Sequence, residues 1–330
     1  MTGTFQADEA LGVWLLRQLP KYKNSKLVRS RDNAVLEKLD IVIDVGGCYD
    51  HSKLRYDHHQ RGFFETFDGD VGVAKGPEDA TGVFKTKLSV TGLVYKHYGR
   101  EVIQALYPYL IGQRLEAVYL KLYKDMIEGI DAIDNGIEVC DNPRYREGTG
   151  LSRRIARLNP RWNELPKLDQ KGEDAKFESA CSLAGEEFSE QLRCLTESWL
   201  PARDLVEAAL LNRKNVDSCE QILCFERGGM PWKQHLYELE REHQVTSKIL
   251  FVLYPDQSGM WRVQAVTVEG TAFKNRLSLP EAWRGLRNEE LTSVSKIEGC
   301  CFCHNAGFIG GNKTMEGALK MAKETIQSSE

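Results

Sequence analysis

No run in this chain of 330 residues approaches 18 uninterrupted apolar residues, which excludes an apolar membrane-crossing helix. The first 20 residues also lack the basic-then-apolar pattern of a secretory signal. A soluble protein with no membrane partner is the expectation. A large excess of either charge is lacking too: 44 Lys and Arg against 48 Asp and Glu leave a net charge of -4, so any nucleic-acid binding has to rest on local basic patches. Cysteine is present but not as a disulfide framework. The nine cysteines are an odd number scattered through a chain too long to need stapling, which favours reduced thiols in an intracellular compartment. Cys300, Cys301, Cys303 and His304 suggest a metal site, yet strand alternation would throw neighbours to opposite faces and no second C-x-x-C pair completes a tetrahedron. Internal repeats and low-complexity tracts are absent as well.

What is present is a hydrophobic content of 42% and enough length for two domains. Ala10, Leu11, Trp14, Leu15 and Leu19 recur at helical spacing over 8–19, before Pro20. Residues 27–29 and 41–45 read as strands. The second, Ile-Val-Ile-Asp-Val before Gly46 and Gly47, has the nearly continuous apolar character of a buried parallel strand. Helical patterns over 91–98, 102–110 and 115–133 complete an α/β domain. Phe188, Leu192, Leu195 and Trp199 then predict a helical connector over 177–211, broken at Pro201. Beyond it, 249–254 and 261–268 read as a hairpin joined by Pro-Asp-Gln-Ser-Gly. A strand near 299–304, a loop over 305–312 and a helix from Thr314 complete a smaller C-terminal α/β domain. The expected boundaries are 1–165, 166–215 and 216–330.

Chemistry concentrates at Asp57, His58 and His59, where two imidazoles beside a carboxylate offer nitrogen and oxygen ligands of the kind manganese or zinc accepts. Alone, such a triplet reads as a solvated polar loop. Asp8 at the start of the first helix, Asp44 at the end of an apolar strand, and Asp131 with Asp134 late in a helix change that reading. Loops at the carboxyl ends of strands converge on one crevice in an open α/β sheet. Asp44 is the hardest to explain as structure, because a carboxylate in an apolar strand costs several kcal/mol unless a cation or hydrogen bonds compensate it.

The ordered motifs Gly3-Thr4-Phe5, Asp8-Glu9-Ala10, Ile43-Asp44-Val45-Gly46, Tyr56-Asp57-His58-His59-Gln60-Arg61, Lys85-Thr86-Lys87-Leu88-Ser89 and Asp131-Ala132-Ile133-Asp134-Asn135-Gly136 are joined in the second half by Ser198-Trp199-Leu200-Pro201-Ala202-Arg203, Trp283-Arg284-Gly285-Leu286-Arg287 and Gly307-Phe308-Ile309-Gly310-Gly311. Over nearly its whole length the chain resembles the Myg exonucleases (melanocyte-proliferating-gene proteins), a branch of the DHH phosphoesterase superfamily. The resemblance implies a DHH-type parallel-sheet domain and a phosphodiester hydrolase using two divalent cations, Mn2+ or Mg2+. It also implies 3′-to-5′ exonuclease action on single-stranded RNA, in mitochondrion and nucleus. Carried over, Asp8, Asp44, His58 and Asp134 are the metal ligands, with Asp44 bridging the ions and Asp131 the alternative for the fourth motif. His59 contacts the scissile phosphate and Asp57 orients a neighbouring histidine.

The first motif departs from the family's usual His-Asn-Gly-Thr-Phe-His-Cys-Asp-Glu. Met1 and Gln6 stand where histidines are expected. A start downstream of the natural one accounts for Met1 but not for Gln6, whose carbonyl is a poor replacement for imidazole on a transition metal. The segment Gly307 to Gly311, ahead of a helix, reads as a phosphate-gripping loop through Gly310 and Gly311, flanked by His304 and Lys313. Arg153, Arg154, Arg157 and Arg161 beside Trp162 form one patch for single-stranded RNA, with Arg153 and Arg157 as its principal contacts; Trp283, Arg284 and Arg287 form another. Two other readings stand beside the exonuclease: hydrolysis of a small phosphorylated metabolite, and a catalytically weakened relative that binds RNA or protein.

Overall fold

A computed structural model describes residues 3–69 and 82–329, and the chain divides into two compact units, Met1–Leu195 and Thr196–Glu330. Both mix helices with a small sheet. The division falls inside the segment expected as a connector. Its first long helix belongs to the first unit and its second to the second.

The first unit begins with α1 (Ala7–Arg17) and α2 (Asn33–Leu36), followed by three two-residue strands, β1 (Val42–Ile43), β2 (Tyr49–Asp50) and β3 (Arg55–Tyr56). Helices α3 (Val90–Leu106), α4 (Gly112–Leu122), α5 (Glu128–Asp134), α6 (Leu151–Ala156) and α7 (Gln170–Cys194) complete it. The backbone N–H of Gln6 donates to the Glu9 carboxylate at 2.9 Å and starts α1, whose buried Leu11 and Leu15 pack against α3 and α7. Glycines permit this close approach. A Cβ on Gly12 would touch Ile43, Val90 and Val94, and one on Gly185 of α7 would lie 2.0 Å from Trp14 Nε1.

In the first sheet β3 is central, parallel to β1 and antiparallel to β2. An extended parallel sheet is therefore not what the described residues form. The strand expected over 41–45 is cut to two residues because Asp44 turns into the left-handed region at φ 61, and Gly46 and Gly47 follow with positive φ, which ends the ladder. Residues 27–29 form no strand, since none of the described residues pairs with them. The patterns over 91–98 and 102–110 merge into α3, because Gly99 packs against Tyr95 and Tyr119 instead of breaking the helix. The pattern over 115–133 is split by a π-turn, Tyr123–Ile127.

The second unit holds α8 (Leu200–Leu211), α9 (Arg213–Val216), β4 (Ile222–Cys224), α10 (Lys233–Glu242), β5 (Phe251–Pro255), β6 (Trp261–Ala265), α11 (Asn288–Ser295), β7 (Cys300–Cys303), β8 (Ile309–Asn312) and α12 (Met315–Gln327). Pro201 does not break a helix. It stands in the first turn of α8, directly after a π-turn, Leu195–Trp199, whose wider winding accommodates a residue without an N–H. The sheet order is β4-β5-β6-β8-β7, with β4 parallel to β5 and the other pairs antiparallel. The expected hairpin is β5–β6, its turn fixed by Asp256 accepting from the N–H of Ser258 and Met260. One core joins Phe251, Val263 and Leu279 to Met321 and Ala322 of α12; the other joins Val252 and Leu223 to Leu236, Leu239 and Trp232.

Gly185→Ala is expected to destabilise the chain by about 1–3 kcal/mol, the usual cost of forcing an atom into a packed helix contact. Urea denaturation followed by tryptophan fluorescence checks this, and an unchanged midpoint would show that Trp14 moves aside freely.

Candidate metal centre

Three local features bring the acidic residues and histidines together within the first unit. The first turn of α1 points Asp8 and Glu9 inwards, both buried. Asp44 sits just past β1 in its left-handed conformation, tied by its N–H to the Tyr56 carbonyl at 2.9 Å. Asp57, His58 and His59 follow β3 directly, and Asp134 is the last residue of α5. His58 Nε2 lies 3.1 Å from Asp134 Oδ2 and 3.7 Å from Asp44 Oδ1, while His59 Nδ1 lies 3.9 Å from Asp44 Oδ1. Three overlapping sets, Asp44–His58–His59, Asp8–His58–Asp134 and Asp8–Glu9–Asp44, each offer ligand atoms within 4.8 Å of one another.

Asp57 has a different position. Its Oδ2 accepts from Gly47 N–H at 2.6 Å, and its Oδ1 accepts from His59 N–H at 3.0 Å and contacts His59 Nδ1 at 2.7 Å. The carboxylate thus fixes the His59 ring, which is otherwise 60% exposed and free to meet a substrate. Burial works to raise the Asp57 pKa, but the two backbone N–H groups and His59 outweigh it and hold the group below the usual range.

The electrostatics of the other residues are unbalanced. Asp8 is pushed up to about 7 by burial and then by Asp134 and Asp44, and Glu9 up to about 10 by burial and then by Asp8. Burial alone would lower His58, yet Asp134 and Asp44 carry it up to about 9. Asp8 Oδ2, Glu9 Oε1, Asp134 Oδ2 and both His58 ring nitrogens are buried without a well-directed hydrogen bond. Buried polar atoms are rarely left so. Converging orphaned oxygen and nitrogen donors fit a divalent cation, which would offset the repulsion and satisfy them together. These residues could hold a metal ion.

Asp131, the alternative to Asp134, is not part of the centre. It is fully buried and accepts from Ser89 N–H at 3.0 Å, Ser89 Oγ at 2.7 Å, Gly92 N–H at 3.0 Å and Tyr123 Oη at 3.0 Å. Three donors on Oδ1 and one on Oδ2 tie it to α3 and Tyr123, it joins none of the metal-capable sets among the described residues, and its work is to cap the start of α3. Gln6 lines the same pocket of about 360 Å³ as Asp44, Asp57, His59 and Asp134. Met1 lies outside the described residues. Two neighbours escaped the sequence reading. Glu9 looks like a capping glutamate three residues into a helix, and only its burial beside Asp8 sets it apart. Lys87 is half-buried over Phe63, with burial lowering its pKa against the pull of Asp134 and Asp57.

Of the glycine segment of the second unit only Gly307 and Phe308 lie in a turn. Gly310 and Gly311 lie in β8 between β6 and β7, so their backbone groups face ladder partners on both sides. Their smallness has a packing reason: a Cβ on Gly310 would come within 2.9 Å of Met321, and one on Gly311 within 2.7 Å of Phe302. His304 precedes β8 in the β7–β8 turn and Lys313 follows its last residue, so a strand of four residues, about 13 Å, separates them and they do not flank one site. The first turn of α12 is capped by Thr314, which accepts from Gly317 N–H at 3.0 Å. Trp283 is core, whereas Trp162 is 94% exposed, and its chain neighbour Arg161 is exposed too, as are Arg153 and Arg157; Arg157 donates to Gly148 O at 3.1 Å, and Arg154 pairs with Glu187. Cys300 and Cys303 are buried in β7 and join no metal-capable cluster among the described residues.

The family model MYG1_exonuc, described as an uncharacterised protein family (UPF0160), matches residues 1–326. The chain belongs to the MYG1 exonuclease family. It is 48% identical over 327 residues to the MYG1 exonuclease of Rattus norvegicus, covering 98% of this chain and 83% of that one. It is 46% identical over 338 residues to the MYG1 protein of Dictyostelium discoideum, covering 99% and 95%. The MYG1 exonuclease of Homo sapiens is 46% identical over 331 residues, covering 98% and 84%. No solved structure matches the chain. Among the described residues of this family member no helix is long and apolar enough to cross a membrane.

The raised groups all predict the same pH dependence. Asp8, Glu9 and His58 each hold a proton more tightly in the folded state, so their contribution to stability is present at low pH and is lost as pH rises through about 7 for Asp8, about 9 for His58 and about 10 for Glu9. In chelator, the thermal midpoint is expected to fall between pH 5 and 9, and Mn2+ should restore it most strongly at the alkaline end. A chelated midpoint that is flat across that window would contradict the described charge balance.

Proposed function

We propose that this chain is a metal-dependent phosphodiester hydrolase that shortens single-stranded RNA from its 3′ end. The observation that carries the reading is the cluster of Asp8, Asp44, His58 and Asp134, whose ligand atoms meet in overlapping sets and include buried, orphaned atoms of Asp8, His58 and Asp134. Relatives named exonucleases along nearly the whole chain support the reaction class. Asp8, Asp44, His58 and Asp134 would hold two divalent cations, manganese or magnesium, with Asp44 shared. Bound there, such cations polarise a phosphate ester and lower the pKa of water.

The remaining work falls to the protein. Asp57 accepts from the His59 backbone and fixes its ring, so the exposed imidazole face is held ready for the scissile phosphate. Nδ1 is engaged by Asp57, which leaves Nε2 as the atom that can donate to a phosphate oxygen or pass a proton to the leaving alcohol. Exposed Trp162 offers a stacking face, and exposed Arg153 and Arg157 precede it by nine and five residues, the residue types that single-stranded binders combine. Gln6 on the pocket wall supports the weakened enzyme as a second reading, since it places an amide where a stronger ligand would fit.

Asp44→Asn is the decisive variant. Asparagine tolerates the left-handed backbone that Asp44 adopts, so the fold should persist while the charge is lost. Manganese-dependent hydrolysis of 3′-labelled RNA is expected to fall by more than about 100-fold, a scale that contacts around metal sites already reach; near wild-type turnover would remove the site. Replacing Arg153 and Arg157 together by alanine should flatten the log–log salt dependence of RNA binding by about 1.4, at about 0.7 per phosphate contact on a single strand. An unaltered slope in anisotropy titrations would return those arginines to the solvated surface.

A further inference from the structure

The pocket over the centre is walled by Asp44, Asp57 and Asp134, with His59, Gln6, Thr4 and backbone from Val45 and Gly46. Buried Asp8 and Glu9 lie close to Asp44. Such a wall repels the anion a phosphodiesterase must bind, and at close range in a partly desolvated pocket that repulsion is strong. Arg31 is the single cationic side chain among the lining residues. It is exposed, and it makes no ion pair or hydrogen bond with any other described residue. Its neighbour Arg29 behaves otherwise, donating to Gly3 O at 2.9 Å and lying over Phe177 and Phe5. Two residues apart, one guanidinium builds the fold and the other is left over beside the acidic pocket.

A second cation stands behind the first carboxylates. Lys87 lies 5.6 Å from the centroid of Phe63, whose ring packs edge-on to His58 at 6.4 Å. Its backbone is fixed by Asn135 Nδ2 donating to Lys87 O at 2.9 Å, directly after Asp134. Asp134 and Asp57 both act on its ammonium, yet it closes an ion pair with neither.

We infer that Arg31 is the substrate-binding residue that grips a phosphate of the nucleic acid at the pocket, and that Lys87 is a positioning charge that offsets the acidic wall. The inference rests on the phosphodiesterase reading above. Arginine suits the role because its fork meets two phosphate oxygens at once. Lys87 acts on charge alone, so it opposes divalent cations while favouring anions.

Inorganic phosphate titrated calorimetrically into magnesium-loaded protein tests this apart from turnover, with kcat and KM for single-stranded RNA measured alongside. Arg31→Gln is expected to weaken phosphate binding by about tenfold, the range of a charge-assisted hydrogen bond, and to raise KM with kcat nearly retained. Arg31→Lys should recover part of the loss. Lys87→Met should weaken phosphate binding while tightening manganese, an opposite pair of shifts that simple loss of packing would not produce. Phosphate affinity and KM unchanged in Arg31→Gln, with wild type binding phosphate, overturn the assignment of Arg31. Manganese affinity unchanged in Lys87→Met overturns that of Lys87. Wild-type protein that neither binds phosphate nor hydrolyses RNA overturns the phosphodiesterase reading and this inference with it.

Discussion

Mutual repulsion among carboxylates held out of water is the constraint on which the first unit depends. Asp8, Glu9, Asp44 and Asp134 share a space in which the overlapping sets place their ligand atoms within 4.8 Å, together with His58. Such an assembly costs free energy, and packing elsewhere has to hold it. Apolar α1 provides that support, fitted against α3 and α7 with glycines at the closest approaches. Asp44 adds a strained left-handed backbone at the same place, a cost of the kind that collects at functional sites. A cation that neutralises the cluster would therefore couple metal binding to the stability of the whole unit.

Asp131 and Asp134 show how location decides the role of one residue type. They are three residues apart on α5 and identical in chemistry. Asp131 meets four donors at the start of α3 and is satisfied inside the protein. Asp134, one turn later, meets a histidine and other acids instead. Burial pushes Asp131 up to about 7 in spite of its donors, so even the structural carboxylate holds its proton unusually tightly. The same division separates Arg29, absorbed into aromatic packing, from Arg31 at the pocket.

In the second unit, glycine serves packing. Gly310 and Gly311 let β8 lie against Met321 and Phe302. A glycine pair before a helix has the same appearance in sequence whether it opens a loop or lines a central strand, and hydrogen bonding to β6 and β7 chose the strand. Pro201 was ambiguous in the same way, since proline stops a helix in its interior and starts one at its first turn.

The linear order of residues already carried the mixed α/β character, the early helix, the β5–β6 hairpin, the family and the residues worth suspecting. Periodicity, turn chemistry and residue type are local, so they survive in one dimension. It identified Asp44 because a carboxylate in an apolar run is costly wherever the chain folds. Packing in three dimensions brought Asp134 to His58 and Asp131 to the cap of α3, buried Glu9 with Asp8, and set Arg31 at the border of the pocket. It also decided that Gly310 and Gly311 belong to a ladder. Each of those outcomes depends on how separate elements meet, and whether a polar atom is satisfied or orphaned is a property of its neighbours rather than of its own place in the chain.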